Sequence, residues 1–184
     1  MSEIIPFWGH FEHTAKKNTG NADYYCFSNW AKSEFQINDR VFYCTEQYLM
    51  YKKAIQFGDK KMAKKIRQYI SEDDLEKTNV EWDNLMKDIK KMGRQVKDFD
   101  EEIWEQVRQE IMFKGLWAKF SQNKHMKKVL LSTKNKILAE AAPRDRIWGI
   151  GMGPSNPLAH DRDQWRGLNL LGETLMEVRD KLRD

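Results

Sequence analysis

The sequence predicts an α+β fold, a mostly helical single domain over residues 1–184 with a small β-sheet. Three observations lead there. Apolar residues recur at helical spacing through the middle of the chain, for example Ile103, Trp104, Val107, Ile111 and Met112. Phe35, Ile37, Val41 and Tyr43 alternate around Asn38-Asp39, the pattern of a β-hairpin. The 184 residues are 40% hydrophobic, with seven Trp, nine Phe and six Tyr, which is enough bulky material for one packed core without a metal or disulfide staple.

Taken in order, residues 14–23 are polar and read as a surface loop. The hairpin over 34–44 follows. Thr45 is then predicted to cap a helix, with Glu46 in its first turn and Gly58 just past its end. Asp59 caps the next, running to about Tyr69 with Met62, Ala63 and Ile66 inward, and Ser71 with Asp74 opens a short one. Trp82 to Met92 forms another, ended by Gly93. Asp100 opens the longest, to about Phe120, and Met126, Val129 and Leu130 mark one more. Ile137–Glu140 and Ile147–Ile150 read as short strands, followed by a loop holding Gly149, Gly151, Gly153, Pro154 and Pro157. Leu168 to Leu182 closes the chain as a helix. No internal repeat and no low-complexity linker interrupts this order.

Composition excludes several classes of function. A mean hydropathy of -0.81 and the absence of a long apolar run exclude a membrane span. The N-terminus has no basic segment followed by an apolar one, so no secretory leader is expected. Cys26 and Cys44 form no framework and suit the reducing cytoplasm, the expected location. The four His residues, 10, 13, 125 and 160, do not cluster in a metal-binding pattern, so no metal site is expected. The 32 basic and 28 acidic residues leave a net charge of +4, compatible with an anionic substrate without requiring one.

Four constellations carry chemistry. Glu46 and Lys53 are seven residues apart on one helix, about 20° apart in azimuth and about 10 Å in rise. Spacing alone favours two charges that complement the helix dipole. Arg144-Asp145-Arg146 is followed by Trp148-Gly149-Ile150-Gly151: a carboxylate between guanidiniums, a stacking aromatic and a glycine loop open to backbone contacts. A salt-bridged turn with a core Trp fits the same residues. Phe27-Ser28-Asn29-Trp30 sets a polar pair between aromatics, and Gly93-Arg94 places a guanidinium past a helix end.

In that order these segments resemble the NADAR (YbiA-like) domain family. Phe27–Trp30 and Tyr43–Ala54 resemble its opening motifs. Gly93-Arg94, Trp104, Ala118-Lys119-Phe120, Glu140-Ala141, Arg144-Asp145, Trp148–Gly151 and Asn169–Gly172 resemble its later ones, from about residue 24 to the C-terminus. Gln47 and Ala54 depart from it, standing where many members carry His and Phe, so neither is expected to be essential. The resemblance implies a YbiA-like fold and an N-glycosidase cutting a bond between nitrogen and ribose C1′, without a metal or nicotinamide cofactor. The substrates it implies are ADP-ribose attached to guanine bases of DNA or RNA, a DNA-repair reaction, or phosphoribosylaminopyrimidine intermediates of riboflavin biosynthesis.

On that resemblance, Glu46 and Asp145 are the candidate catalytic carboxylates, with Lys53 a third participant that attacks an imine carbon. Trp148 would stack on sugar or base, Arg94 and Lys119 would take phosphate, Asn29 and Asn169 would orient ribose hydroxyls, and Gly149 and Gly151 would line the ligand's path. Glu46, Lys53, Asp145 and Trp148 are expected in one pocket. Arg144 or Arg146 is expected to be the cation that lowers the pKa of Lys53. The rival reading is a non-catalytic ADP-ribose or nucleotide-binding module.

Overall fold

The structure, a computed structural model, describes residues 3–183. Met1, Ser2 and Asp184, which the readings of the N-terminus and of one domain over 1–184 include, lie outside the described residues. The fold is α+β and mostly helical, and the chain divides into two compact units: Lys32–Lys119, and Met1–Ala31 with Phe120–Asp184.

The central unit opens with a hairpin, β2 (Phe35–Ile37) and β3 (Arg40–Phe42), numbered after β1 (Ile4–Phe7) of the terminal unit. Asn38 and Asp39 both take positive φ, 47° and 58°, as a two-residue hairpin turn requires. That turn pairs Phe35 with Phe42 and Gln36 with Val41. Phe42 is therefore the buried residue of β3, and Val41 lies on the exposed face, contrary to the expected alternation.

Helix α2 (Thr45–Gln56) follows; α1 (Glu12–Thr19) belongs to the terminal unit. Its N-cap is Cys44, one residue before the expected Thr45: Cys44 is extended, and its Sγ accepts from the Gln47 N–H at 3.4 Å. Gln47 returns the favour, accepting from the Tyr43 N–H at 3.0 Å, and donates to the carbonyls of Ile66 and Arg67 at 3.3 and 3.2 Å. It thus ties α2 to the end of α3 (Lys60–Gln68), a helix capped as expected by Asp59, whose carboxylate accepts from the Met62 N–H.

A short 3₁₀ helix, Glu72–Glu76, carries the Ser71–Asp74 capping box. Helix α4 (Asn79–Arg94) starts earlier than expected, because Thr78 and Glu81 form a second capping box. It also continues through Gly93. A Cβ at Gly93 would collide with the Met50 sulfur, so this glycine lets α2 approach α4 and does not end the helix. Helix α5 (Glu101–Gln122) is capped by Asp100 through the Ile103 N–H. Ile103 is exposed, and Arg108 instead lies on the buried stripe with Trp104, Ile111 and Met112. The reason is local: Glu101 and Glu105 reach the Arg108 guanidinium at 3.4 and 3.2 Å and balance its charge.

In the terminal unit, β1 pairs in parallel with β4 (Ile137–Glu140), in the register Ile4↔Ile137 to Phe7↔Glu140. Residues 14–23, read above as loop, include most of α1, which ends when the Gly20 N–H bonds the Lys16 carbonyl, and then the start of a 3₁₀ helix, Ala22–Phe27. Helix α6 (Lys124–Ser132) buries Met126, Val129 and Leu130 as expected. Helix α7 (Leu170–Lys181) packs on β4, and Arg179 ties it down by donating to Thr133 Oγ1 at 2.9 Å and the Lys136 carbonyl at 2.7 Å.

Ile147–Ile150 is not a strand. The carbonyls of Arg146, Ile147, Trp148 and Gly149 accept from the N–H groups of Leu168, Leu170, Leu171 and Asn169 at 2.9–3.2 Å. The loop thereby caps the start of α7, and its carbonyls go to a helix end, while one N–H, that of Ile150, bonds the Glu140 carbonyl at the end of β4 at 2.9 Å.

Candidate active site

The central unit presents Glu46, Lys53 and Arg94 together. Glu46 is 7% exposed in the first turn of α2, where the amide ends of the helix favour its carboxylate. Lys53 lies two turns on and is half-buried. Its pKa is lowered: burial is the main cause and the Arg94 charge adds to it, while Glu101 and Glu46 oppose. The cation found acting on Lys53 is thus Arg94, at the end of α4, rather than the expected Arg144 or Arg146. The ammonium nitrogen sits 3.7 Å from the centre of the Phe99 ring and 5.7 Å from that of Trp104. Arg94 itself is exposed, as a phosphate-binding side chain needs to be.

Lys119, in α5, is fully buried. Its charge reaches Cys44, where it favours the thiolate, but burial dominates and pushes that thiol up to about 12. Both cysteines are buried and unbridged.

The terminal unit presents the Asp145 loop. Asp145 Oδ1 accepts from the N–H groups of Ile147 and Trp148 at 3.0 and 2.8 Å, and its carbonyl accepts from the Gly151 N–H at 3.1 Å. Backbone amides hold this carboxylate where two guanidiniums were expected; among the described residues it pairs with neither Arg144 nor Arg146, both of which are exposed. Trp148 is half-buried beside it. A Cβ at Gly149 would come within 2.9 Å of the carbonyls of Asp145 and Glu140, so only glycine allows the loop to close this tightly. Gly151 takes φ +70°.

Two asparagines behave differently. Asn169 is fully buried with φ 55°, and its amide is committed to β4: it accepts from the Glu140 N–H and donates to the Leu138 carbonyl, each at 2.9 Å. Its visible work is bracing Glu140 and the start of α7, where ribose contact was expected. Asn29 follows Ser28, whose Oγ accepts from the Trp30 N–H at 3.2 Å in a tight turn. Its Oδ1 is buried without a hydrogen-bond partner among the described residues, an acceptor left for something else to fill.

Glu46, Lys53, Arg94 and Lys119 therefore belong to the central unit, and Asn29, Asp145, Trp148, Gly149, Gly151 and Asn169 to the terminal one. Sequence reasoning missed Phe99 and Arg108. Phe99 sits in a short connection without periodicity; Arg108 reads as one more charge on a salt-laced helix. Among the described residues, no group of three or more His, Cys, Asp or Glu could hold a metal ion, and no helix is long and apolar enough to cross a membrane.

The chain as a whole is similar to known proteins. A model of the NADAR domain matches residues 7–183, and this chain belongs to that family. N-glycosidase R617 of Acanthamoeba polyphaga mimivirus is 37% identical over 176 residues, 93% of this chain and 94% of the viral protein. The NMR structure of Escherichia coli YbiA superposes with a TM-score of 0.71 at 27% identity, covering 100% of this chain and 86% of YbiA. Riboflavin biosynthesis protein PYRR of Arabidopsis thaliana is 41% identical over 78 residues, 42% of this chain but 11% of that longer protein.

Proposed function

We propose that this chain is a hydrolase of N-glycosyl bonds that cuts between ribose C1′ and a nucleobase nitrogen, on a substrate that carries phosphate. The NADAR membership and the N-glycosidase named among its full-length relatives support the reaction class. Two substrates fit the chemistry: ADP-ribose joined to guanine in DNA or RNA, and a phosphoribosylaminopyrimidine. The likeness to PYRR, named for riboflavin biosynthesis, supports the second.

The observation that carries the reading is the half-buried Lys53, its pKa lowered, on the same helix as the buried carboxylate of Glu46. A neutral amine is the nucleophile that an open-chain N-ribosyl imine accepts. The ribosylamine opens as a proton passes from the base nitrogen to O4′, leaving an imine at C1′. The Lys53 nitrogen then adds to C1′, and one of its protons passes to the base nitrogen. The C1′–N bond breaks as Asp145 supplies the second proton. This leaves an imine between Lys53 and C1′. Water activated by Glu46 adds to C1′, and Lys53 leaves as the amine, freeing the ribose. Glu46 also balances the positive charge that develops at C1′. Arg94 binds phosphate, Trp148 stacks on the base, and Asn29 accepts from a ribose hydroxyl. Lys119 is fully buried, contrary to its expected place on phosphate, and Gly149 and Gly151 serve the closure of their own loop. Asn169 acts through the backbone it holds.

The test is a product assay. Incubation with DNA carrying ADP-ribosylated guanine, and separately with the phosphoribosylated aminouracil, is expected to release ADP-ribose from the first or free aminopyrimidine from the second. Binding of either substrate with no bond cleavage would make the chain a non-catalytic nucleotide-binding module.

A further inference from the structure

Lys53 forms no ion pair among the described residues, although it lies half-buried. What meets its ammonium is aromatic. The nitrogen is 3.7 Å from the centre of Phe99 and 5.7 Å from that of Trp104, both within cation–π range. The Phe99 ring is itself held: Phe57, which caps the C-terminus of α2, meets it edge-on with ring centres 5.2 Å apart at 72°. Asp98, at φ 51°, turns the chain just before it. Three elements thus converge on one lysine: the end of α2, the connection 95–100 and the first turn of α5.

We propose that Phe99 is the positioning residue for Lys53, its ring face fixing where the amine sits and setting how readily it gives up its proton. The inference rests on the reading of Lys53 as catalytic, and it adds Phe99, which is not among the residues that carry the family resemblance. The physical balance is clear. Burial and the Arg94 charge favour the neutral amine. The Phe99 face favours the ammonium, as do Glu46 from α2 and Glu101 from α5. An aromatic face holds charge without a salt bridge's fixed partner, so the amine is positioned and still free to reach a substrate.

Competitive acetylation of Lys53 across a pH series, read by peptide mass spectrometry, tests this without any substrate. Phe99→Leu keeps an apolar side chain and removes the ring face. It is expected to raise the neutral fraction of Lys53 roughly 2- to 5-fold at a fixed pH below its midpoint. Phe99→Trp restores or strengthens the face and should return the midpoint to the wild-type position or above it. Phe99 is 38% exposed, so both variants are expected to fold, which circular dichroism checks. Identical titrations in wild type and Phe99→Leu would overturn the proposal. Loss of catalysis is a separate outcome: if Lys53→Arg turns over normally while the Phe99→Leu titration still moves, the catalytic reading of Lys53 fails and the positioning by Phe99 stands.

Discussion

Glu46 and Asp145 are both partly withdrawn from solvent, yet they are held by opposite means. Glu46 stands on a helix whose start is fixed by Cys44 and Gln47 and whose body packs on α3 and α4. Asp145 stands on a loop, and the loop stands on Asp145: its own oxygen accepts the two amides that turn the chain. Removing a side chain from the first region should disturb chemistry and spare the fold, because the helix does not depend on it. Removing one from the second region should disturb both. Helices place reacting groups rigidly, whereas a loop needs its polar side chains to hold itself.

The largest expected effect is on the helix. Lys53→Ala is expected to lower kcat by at least about 1,000-fold with little change in Tm, and Lys53→Arg to do no better. Borohydride added during turnover should leave a ribose-derived mass on Lys53. A raised KM with kcat kept would make Lys53 a phosphate clamp. The next effect is on the loop's support. Asn169→Ala removes both bonds to β4 and leaves a buried N–H and carbonyl unmet, a loss of about 2–4 kcal/mol in denaturant unfolding. A stability within about 0.5 kcal/mol of wild type would deny Asn169 its bracing role.

Asp145 separates the two kinds of support most finely. Asp145→Ala removes the acceptor of two backbone amides and is expected to cost about 1–2 kcal/mol of stability. Asp145→Asn keeps an oxygen in that place and should melt like wild type. The smallest effect is a pH dependence at the foot of α2. Burial holds the Cys44 thiol at about 12, against an ordinary 9.0. In the unfolded chain the thiol loses its proton near the ordinary value, while the fold keeps it. Stability is therefore unaffected by Cys44 at neutral pH and falls as pH rises from about 9 towards 12. Cys44→Ser should flatten that fall in a pH series of urea midpoints.

How much of this was legible from residues alone follows the same division. Asp59, Ser71 and Asp100 announced their helices because capping is a local event, and Asn38-Asp39 announced the hairpin for the same reason. Glu46 and Lys53 could be placed on one helix by counting. The strand at Ile4–Phe7 went unseen because parallel pairing with residues 137–140 is a long-range event with little local signature. Ile147–Ile150 looked like a strand because its residues are apolar, but its carbonyls had a helix end to satisfy. Gly93 looked like a stop because nothing in its surroundings reveals Met50. Asn169 matched a motif, but its amide is spent on β4, a long-range contact with no local signature.

The most direct test of the central claim, that a helix-borne and a loop-borne carboxylate serve one bond cleavage, is a double-mutant cycle on single-turnover rate. Glu46→Gln, Asp145→Asn and the double variant are compared on the substrate that the product assay selects. The account predicts about 100-fold losses for each single variant and a double variant scarcely slower than the worse of the two, because groups acting as a unit are not additive. A wild-type rate in Asp145→Asn, or losses that simply multiply, would contradict it.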